Sequence, residues 1–118
     1  MVELVACLST GKGTWGHVAR LMADGTWDNI ILITNEFGKE NFTSEKSALM
    51  LVMDTRKPIA ELVEDMKNGL DGKIKGKEVA LNIVSGDGKE HMALLSALQK
   101  LDIKFRPTAL TKDGIKEI

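Results

Sequence analysis

Two short turns of similar composition carry the residues with which this chain could do chemistry. The first is Ser9–Gly13 (STGKG), which follows an apolar run ending at Leu8, and the second is Ser85–Lys89 (SGDGK), which follows an apolar run ending at Val84. Each turn stands where a predicted buried strand gives way to a predicted helix. Such a junction presents unpaired backbone N–H groups and the positive end of a helix dipole, which together bind phosphate or another anion. If the two turns lie side by side, they form one site.

Neither turn has the spacing of a standard nucleotide-binding motif. The Walker spacing G-x-x-x-x-G-K-[ST] is absent. Residues Gly11–Gly16 (GKGTWG) fit the dinucleotide-binding pattern G-x-G-x-x-G literally. That motif also uses an acidic residue at the end of the second strand, and Glu36 is the one candidate there. A nicotinamide cofactor would also crowd so small a domain, so we predict no cofactor. The alternative explanation of the glycines is that they form tight strand-to-helix turns.

Lys89 is the first candidate for contact with an anion. It falls in the first turn of a predicted helix, where the helix dipole disfavours a cation, so an anionic partner would explain its position. The alternative is a solvated surface lysine. Asp87 suits a helix start, and its charge counts against a phosphate nearby. His17 and His91 fall near helix starts, which favour the neutral imidazole; either could hydrogen-bond or transfer a proton, and we predict no metal site.

The composition is that of one ordinary domain spanning residues 1–118, with 43% hydrophobic and 28% charged residues. A net charge of −1 argues against duplex nucleic acid as a partner. Cys7 is the only cysteine, so no internal disulfide can form, and we expect it in the core. No apolar stretch approaches the roughly 20 residues that cross a membrane. Because Glu3 interrupts any secretion signal, we predict a cytoplasmic protein without membrane contact.

Apolar runs bounded by polar or glycine-containing segments predict five β-strands. Their apolar content on both faces is typical of strands buried within a parallel sheet. The leucine and methionine content of the third would also allow a helix. The five predicted strands are Val2–Leu8, Asn29–Thr34, Ala48–Met53, Val79–Val84 and Ile103–Leu110.

Three longer segments with apolar residues three and four positions apart predict helices. Thr14 is expected to cap the first helix, and Pro58 fits the first turn of the second, where its missing N–H would have no partner anyway. Residues Asn35–Lys46 predict a loop or a short irregular helix. The apolar positions of the three helices are Trp15, Val18, Ala19 and Met22; Ile59, Leu62, Val63, Met66 and Leu70; and Met92, Leu94, Leu95, Leu98 and Leu101.

The alternation of strands and helices predicts an α/β fold. A mostly parallel five-stranded sheet with helices on both faces and right-handed crossovers is a Rossmann-like, doubly wound sheet. We predict the strand order 3-2-1-4-5, in which the first strand lies beside the fourth. Pro107 indicates an edge or bulge position in the fifth strand. The turn at Asp113–Gly114 predicts a short antiparallel strand formed by Ile115–Ile118.

Ligands of open α/β sheets bind beyond the carboxyl ends of the strands, where the strand order reverses direction. In the predicted order this crevice lies between the two glycine turns, with the end of the second strand next to them. The expected ligand-binding residues are Ser9, Thr10, Gly11, Lys12, Gly13, Asn35, Ser85, Gly86, Gly88 and Lys89.

Two segments of the chain resemble CRISPR-associated Rossmann fold (CARF) domains, which sense cyclic oligoadenylate second messengers. Residues Cys7–Gly13 (CLSTGKG) are similar to the Ser/Thr-Gly turn after the first strand of that family. Residues Asn82–Met92 (NIVSGDGKEHM) are similar to its N-[ILV]-[ST]-G-G-[TS]-K-x-M segment after the fourth strand, although Asp87 separates the glycines. The order of elements is similar over most of the chain.

The resemblance implies a homodimer that binds cyclic oligoadenylate across its twofold axis. Ring nucleases of the family cut this ligand without metal: a ribose 2′-hydroxyl attacks the neighbouring phosphate, and the protein positions the groups and stabilises charge. By this resemblance Ser9 and Lys89 are the catalytic candidates. Ser9 or Thr10 would hydrogen-bond ribose or phosphate, Lys89 would offset developing phosphate charge, and N–H groups of Gly86 and Gly88 would complete the cradle.

The residues leave three functions open. The first is a homodimeric nucleotide-binding module, with or without ring cleavage. The second is a non-catalytic homodimeric scaffold or protein-interaction domain with no nucleotide ligand. The third, an ordinary phosphoryl or sugar-phosphate enzyme, ranks last because the sequence shows neither a metal triad nor a triad-like nucleophile. Retention of cyclic oligoadenylate separates the first from the second.

Overall fold

The computed structural model describes residues 2–118, and within that range strands and helices alternate along the chain. The strands are β1 (Glu3–Leu8), β2 (Asn29–Thr34), β3 (Leu49–Val52), β4 (Glu78–Asn82), β5 (Lys104–Thr111) and β6 (Gly114–Glu117). The helices are α1 (Trp15–Asp24), α2 (Glu36–Asn41), α3 (Ile59–Leu70) and α4 (Gly88–Lys100), and a 3-10 turn at Lys12–Thr14 precedes α1. None of these helices combines the length and the apolar character needed to cross a membrane.

The strands form one sheet in the order 3-2-1-4-5-6, which confirms the predicted Rossmann-like α/β fold. β1 pairs in parallel with β2 on one side and with β4 on the other. β3 and β5 extend the parallel sheet outward. β6 runs antiparallel to β5 and forms the predicted terminal hairpin. Because β1 lies beside β4, the loops that follow these two strands meet at the carboxyl edge of the sheet.

Two apolar layers cover the sheet, and β1 supplies residues to both of them. Successive side chains of a strand point to opposite faces. Val5 and Cys7 therefore lie in the layer formed with α3 and α4, whereas Leu4, Ala6 and Leu8 lie in the layer formed with α1. All six residues of β1 are buried, as expected for a central parallel strand, and Cys7 is a core residue as predicted.

All strands except β2 begin or end one or two residues away from their predicted bounds, and the starts of α1 and α3 also differ from the prediction. β4 ends at Asn82, because the Asn82 side chain accepts a hydrogen bond from the N–H of Val84 (3.3 Å) and turns the chain out of the sheet. Thr14 precedes α1, but its Oγ1 donates to the Gly11 carbonyl (2.6 Å) and does not cap the helix. Pro58 occupies the capping position before α3 and lies outside its first turn.

Pro107 lies where β5 exchanges one neighbour for another. Residues 104–107 pair with β4, and residues 108–111 pair with β6. Within residues 2–118, no strand pairs with the outer side of the first half of β5. Pro107 ends this edge-like half of the strand, which agrees with the prediction of an edge position.

Glu3 forms hydrogen bonds that hold the start of β1 at the amino edge of the sheet, opposite the two glycine turns. Its carboxylate is 1% exposed and accepts bonds from Asn29 Nδ2 (2.8 Å) and from the N–H groups of Lys75 (2.9 Å) and Gly76 (2.6 Å). Burial opposes the charged form, but these hydrogen bonds and the nearby Lys75 charge outweigh it and hold the pKa of Glu3 below its ordinary value. Sequence reasoning gave Glu3 no structural role.

Candidate functional site

The two glycine turns lie side by side at the carboxyl edge, as predicted. The N–H of Gly86 donates to the Thr10 carbonyl (3.0 Å). The N–H of Ser9 donates to Ser85 Oγ (3.0 Å), and that hydroxyl donates in turn to the Thr10 carbonyl (3.3 Å). These three hydrogen bonds join the turn after β1 to the turn after β4 and fix their relative position.

A buried carboxylate lies beneath this junction. Ser9 Oγ donates to Glu90 Oε2 (2.6 Å), and the N–H of Asp87 donates to Glu90 Oε1 (3.2 Å). Glu90 is 1% exposed and Ser9 is 2% exposed. Both carboxylate oxygens of Glu90 therefore have protein donors, and the hydroxyl of Ser9 is engaged inside the protein.

The N-terminus of α4 is capped by the acids of its own turn. Asp87 Oδ1 accepts the N–H of Glu90 (2.9 Å), and Glu90 returns a bond to the N–H of Asp87, which makes a reciprocal capping box. These negative charges complement the positive end of the helix dipole that was predicted to attract phosphate. The sequence signal for this arrangement is Asp87-x-x-Glu90, and sequence reasoning missed the role of Glu90.

Gly86 holds the second turn in a conformation that glycine alone adopts readily. Its φ is +103°. A Cβ at this position would lie 3.1 Å from His91 Nε2 and 3.3 Å from Ser9 Oγ. The turn is therefore tightly packed against β1 and α4, and its Gly86 N–H, predicted to cradle a ligand, has an acceptor within the protein.

Lys89 reaches along the carboxyl edge to the loop after β3. Its side chain is half-buried, and Nζ donates to the Thr55 carbonyl (3.0 Å). Lys89 and Ser9, the two catalytic candidates, thus have different hydrogen-bond partners. Their predicted roles toward a ligand stay predictions.

We call the turn after β1 open and the turn after β4 closed, because in the second turn the N–H groups of Gly86 and Asp87 have protein acceptors. The N–H of the exposed Gly88, also predicted to cradle a ligand, has no acceptor within residues 2–118. Gly11, Lys12 and Gly13 are exposed, and within residues 2–118 their N–H groups donate to no protein acceptor. Gly11 adopts a left-handed conformation (φ 84°, ψ 60°), which places these groups at the start of the 3-10 turn. Successive unpaired N–H groups in such a turn form a concave site for an anion.

Lys12 connects the open turn to an aromatic group. Its Nζ lies 5.8 Å from the ring centre of Trp15 and 5.9 Å from that of Phe37. Trp15 is 7% exposed, donates through Nε1 to the Ser9 carbonyl (2.9 Å), and contacts Phe42 edge-on, so it is a core residue. Phe37 is 52% exposed and offers an uncovered aromatic surface beside Lys12.

A cleft of about 600 Å³ opens beside Phe37, where β2 and β3 end. Arg56 donates through Nε and Nη2 to the two carboxylate oxygens of Asp54 (2.9 and 3.2 Å), and these bonds hold the pKa of Asp54 below its usual range. Asn35, a predicted ligand residue, caps α2 by accepting the N–H of Gly38 (2.9 Å). The lining residues are Asn35, Glu36, Phe37, Val52, Met53, Asp54, Thr55 and Arg56.

The two histidines tie helices to the sheet and its loops. His17 Nε2 accepts the N–H of Leu110 (3.3 Å) and lies 3.1 Å from Asn82 Nδ2. His91 Nε2 lies 2.9 Å from the Ser85 carbonyl. Within residues 2–118, no group of three or more His, Cys, Asp or Glu side chains could hold a metal ion.

Cys7 lies in the core below the second turn. Burial raises the pKa of its thiol to about 12, and the negative charges of Glu90 and Asp87 add to the effect. The thiol is therefore neutral and poorly nucleophilic.

No protein-family model matches the chain, and no curated protein matches it.

Proposed function

We propose that this chain binds a small phosphate-containing nucleotide at the carboxyl edge of its sheet. The observation that supports the proposal is the open turn after β1, where unpaired N–H groups of Gly11–Gly13 stand beside the Lys12 side chain. This turn lies at the point where the strand order reverses, which is where open α/β sheets bind ligands. The CARF resemblance makes cyclic oligoadenylate the first ligand to test. The protein would bind this ligand in the cytoplasm.

The charges of the two turns favour the first of them as the proposed phosphate site. Asp87 and Glu90 cap α4, and a phosphate placed at Gly86 would meet their negative charge. Lys12 is exposed and cationic beside Gly11 and Gly13. Lys89, half-buried and bonded through Nζ to the Thr55 carbonyl, would form a wall of the site.

Binding is the activity that the arrangement supports best, and ring cleavage is the extension that the CARF resemblance suggests. The Ser9 hydroxyl is held by Glu90 and the Lys89 ammonium by the Thr55 carbonyl. A cleavage step that used these two groups would require both to exchange partners when the ligand binds.

The proposal includes a homodimer. Val84 and Met92, which flank the second turn along the chain, are 45% and 63% exposed. A second copy that covered these apolar side chains would lie next to the proposed nucleotide site. The alternative function, a homodimeric scaffold without a nucleotide, would use the same surface and leave the open turn without a role.

Retention of radiolabelled cyclic tetra-adenylate tests the proposal. We expect retention at micromolar protein, a loss of about tenfold in affinity for Lys12→Ala, and no change for the control Lys100→Ala at the far end of α4. Metal-independent appearance of linear product, lost in Lys89→Ala, would extend the function to ring cleavage. Absence of retention, or equal affinity of Lys12→Ala and the wild type, would refute the proposal.

A further inference from the structure

The charges in the cleft at the ends of β2 and β3 differ from those at the open turn. The cleft contains the carboxylates of Glu36 and Asp54 and the guanidinium of Arg56. Arg56 is paired with Asp54, whereas Glu36 has no ion-pair partner within residues 2–118. An unpaired carboxylate repels phosphate and accepts hydrogen bonds from hydroxyl or amine groups. The cleft therefore suits an uncharged group that carries donors.

The remaining lining of the cleft suits a flat, largely apolar group. Phe37 presents an exposed ring, and Val52 and the buried Met53 add apolar surface. The side chain of Asn35 uses its oxygen to cap α2, which leaves its amide NH₂ group to donate. Aromatic rings stack on nucleobases without regard to sequence, and amide groups bond to base edges.

The cleft lies next to the Lys12 side chain of the proposed phosphate site. Lys12 belongs to the open turn, and its Nζ lies 5.9 Å from the ring centre of Phe37, which lines the cleft. The volume of about 600 Å³ lies within the range of small-ligand sites, roughly 300–1,000 Å³.

We infer that this cleft binds the nucleoside part of the ligand, with the ribose hydroxyls on Glu36 and the base against Phe37. The inference rests on the proposed function, because it assumes that the phosphate of the same ligand lies on Gly11–Gly13. Phosphate, ribose and base then follow the order of β1, β2 and β3 along the carboxyl edge. A second nucleotide of a larger ligand would extend from the phosphate away from the cleft.

Amide chemical shifts in a titration with adenosine 5′-monophosphate test the inference, with inorganic phosphate as the comparison. The inference predicts that the nucleotide shifts the signals of Asn35–Phe37 and Val52–Arg56, and that inorganic phosphate does not. Glu36→Gln should bind the nucleotide about fivefold more weakly. It should also lose the preference for ribose over 2′,3′-dideoxyribose. Glu40→Gln, an exposed residue of the same helix outside the cleft, is the matched control and should bind as the wild type does.

Three outcomes separate the inference from the proposed function. Saturable shifts in the cleft, with the loss in Glu36→Gln, support both. Shifts at Gly11–Gly13 without shifts in the cleft overturn the inference and leave the proposed function standing. Shifts at neither place with this nucleotide, together with no retention of cyclic tetra-adenylate, overturn both.

Discussion

The two glycine turns at the carboxyl edge have similar sequences and opposite structures. One contains Gly11-Lys12-Gly13 and the other Gly86-Asp87-Gly88. In the first, the N–H groups have no protein acceptor within residues 2–118 and the lysine is exposed. In the second, the glycine N–H that precedes the acid donates to Thr10, and Asp87 forms a capping box with Glu90.

We propose that the residue between the glycines determines whether such a turn binds an anion. Glycines permit the path of the backbone in both turns. An acid at the helix start supplies the negative charge that the helix dipole favours, so no external anion is needed there. In the first turn a lysine occupies the equivalent place and adds a positive charge beside N–H groups that have no acceptor within residues 2–118.

Removal of the buried acid should open the closed turn. Glu90→Ala removes the acceptor of both the Ser9 hydroxyl and the Asp87 N–H and should destabilise the protein by about 3 kcal/mol in urea unfolding. Cys7 should then react faster with a thiol reagent, because its shielding and a neighbouring negative charge are reduced. The exposed Glu64→Ala should change the free energy of unfolding by less than about 0.5 kcal/mol. Equal stability of the two variants would show that Glu90 does not close the turn.

A methyl group at Gly86 should disrupt the contact between the turns. Gly86→Ala combines a positive φ with close approaches to His91 and Ser9, so we expect a loss of about 2–3 kcal/mol in unfolding free energy. Gly88→Ala is the matched control: a Cβ there meets no heavy atom within 4 Å, and the residue begins α4. It should be neutral or stabilising by about 0.5 kcal/mol. A similar loss in both variants would contradict the packing described for Gly86.

Glu3 is a second buried acid, held by three hydrogen bonds and by the nearby Lys75 charge, and it gives Glu90 a reference at the amino edge. Folding lowers the pKa of Glu3 from 4.5, so the ionised carboxylate stabilises the folded protein. This contribution to the free energy of unfolding is complete above pH 4.5 and is lost as the pH falls through the lower folded-state pKa. Glu3→Gln should cost about 2 kcal/mol at pH 7. Urea unfolding should show this difference shrinking below pH 4.5. A difference between variant and wild type that does not change with pH would contradict the role of the Glu3 charge.

Alanine substitutions in the open turn should reduce stability less than the same substitution at Gly86 in the closed turn. Gly11→Ala places a side chain in the left-handed region, which should cost about 1 kcal/mol, while the new methyl group meets only Thr14 atoms at 3.8 Å. Gly13→Ala has no such strain and no neighbour within 4 Å, so thermal unfolding should show little change. A loss for Gly11→Ala as large as that for Gly86→Ala would remove the distinction between the turns.

The sequence predicted the sheet and the meeting of the two turns, because both depend on strong local patterns. Continuous apolar runs identified β1, β2 and β4, and the alternation with helices placed β1 beside β4. The buried hydrogen bond from Ser9 to Glu90 was not predicted, since a glutamate in the first turn of a helix is ordinarily exposed. The Asp87-x-x-Glu90 spacing was the available signal.

Features that depend on the paths of loops were beyond sequence reasoning. Lys89 was identified as a residue that needs a partner, but its acceptor, the Thr55 carbonyl, lies in the loop after β3, whose course no local pattern encodes. The cleft beside Phe37 has the same origin, because its lining comes from segments that follow two different strands. The burial of Glu3 depends likewise on a loop more than seventy residues away.

A titration with inorganic phosphate, followed by amide chemical shifts, observes the N–H groups of both turns themselves. If the open turn binds phosphate, the signals of Gly11, Lys12 and Gly13 should move saturably, and those of Gly86 and Asp87, whose N–H groups have acceptors within the protein, should not change. Movement at Gly86 and Asp87 with no change at Gly11–Gly13 would contradict phosphate binding at the open turn.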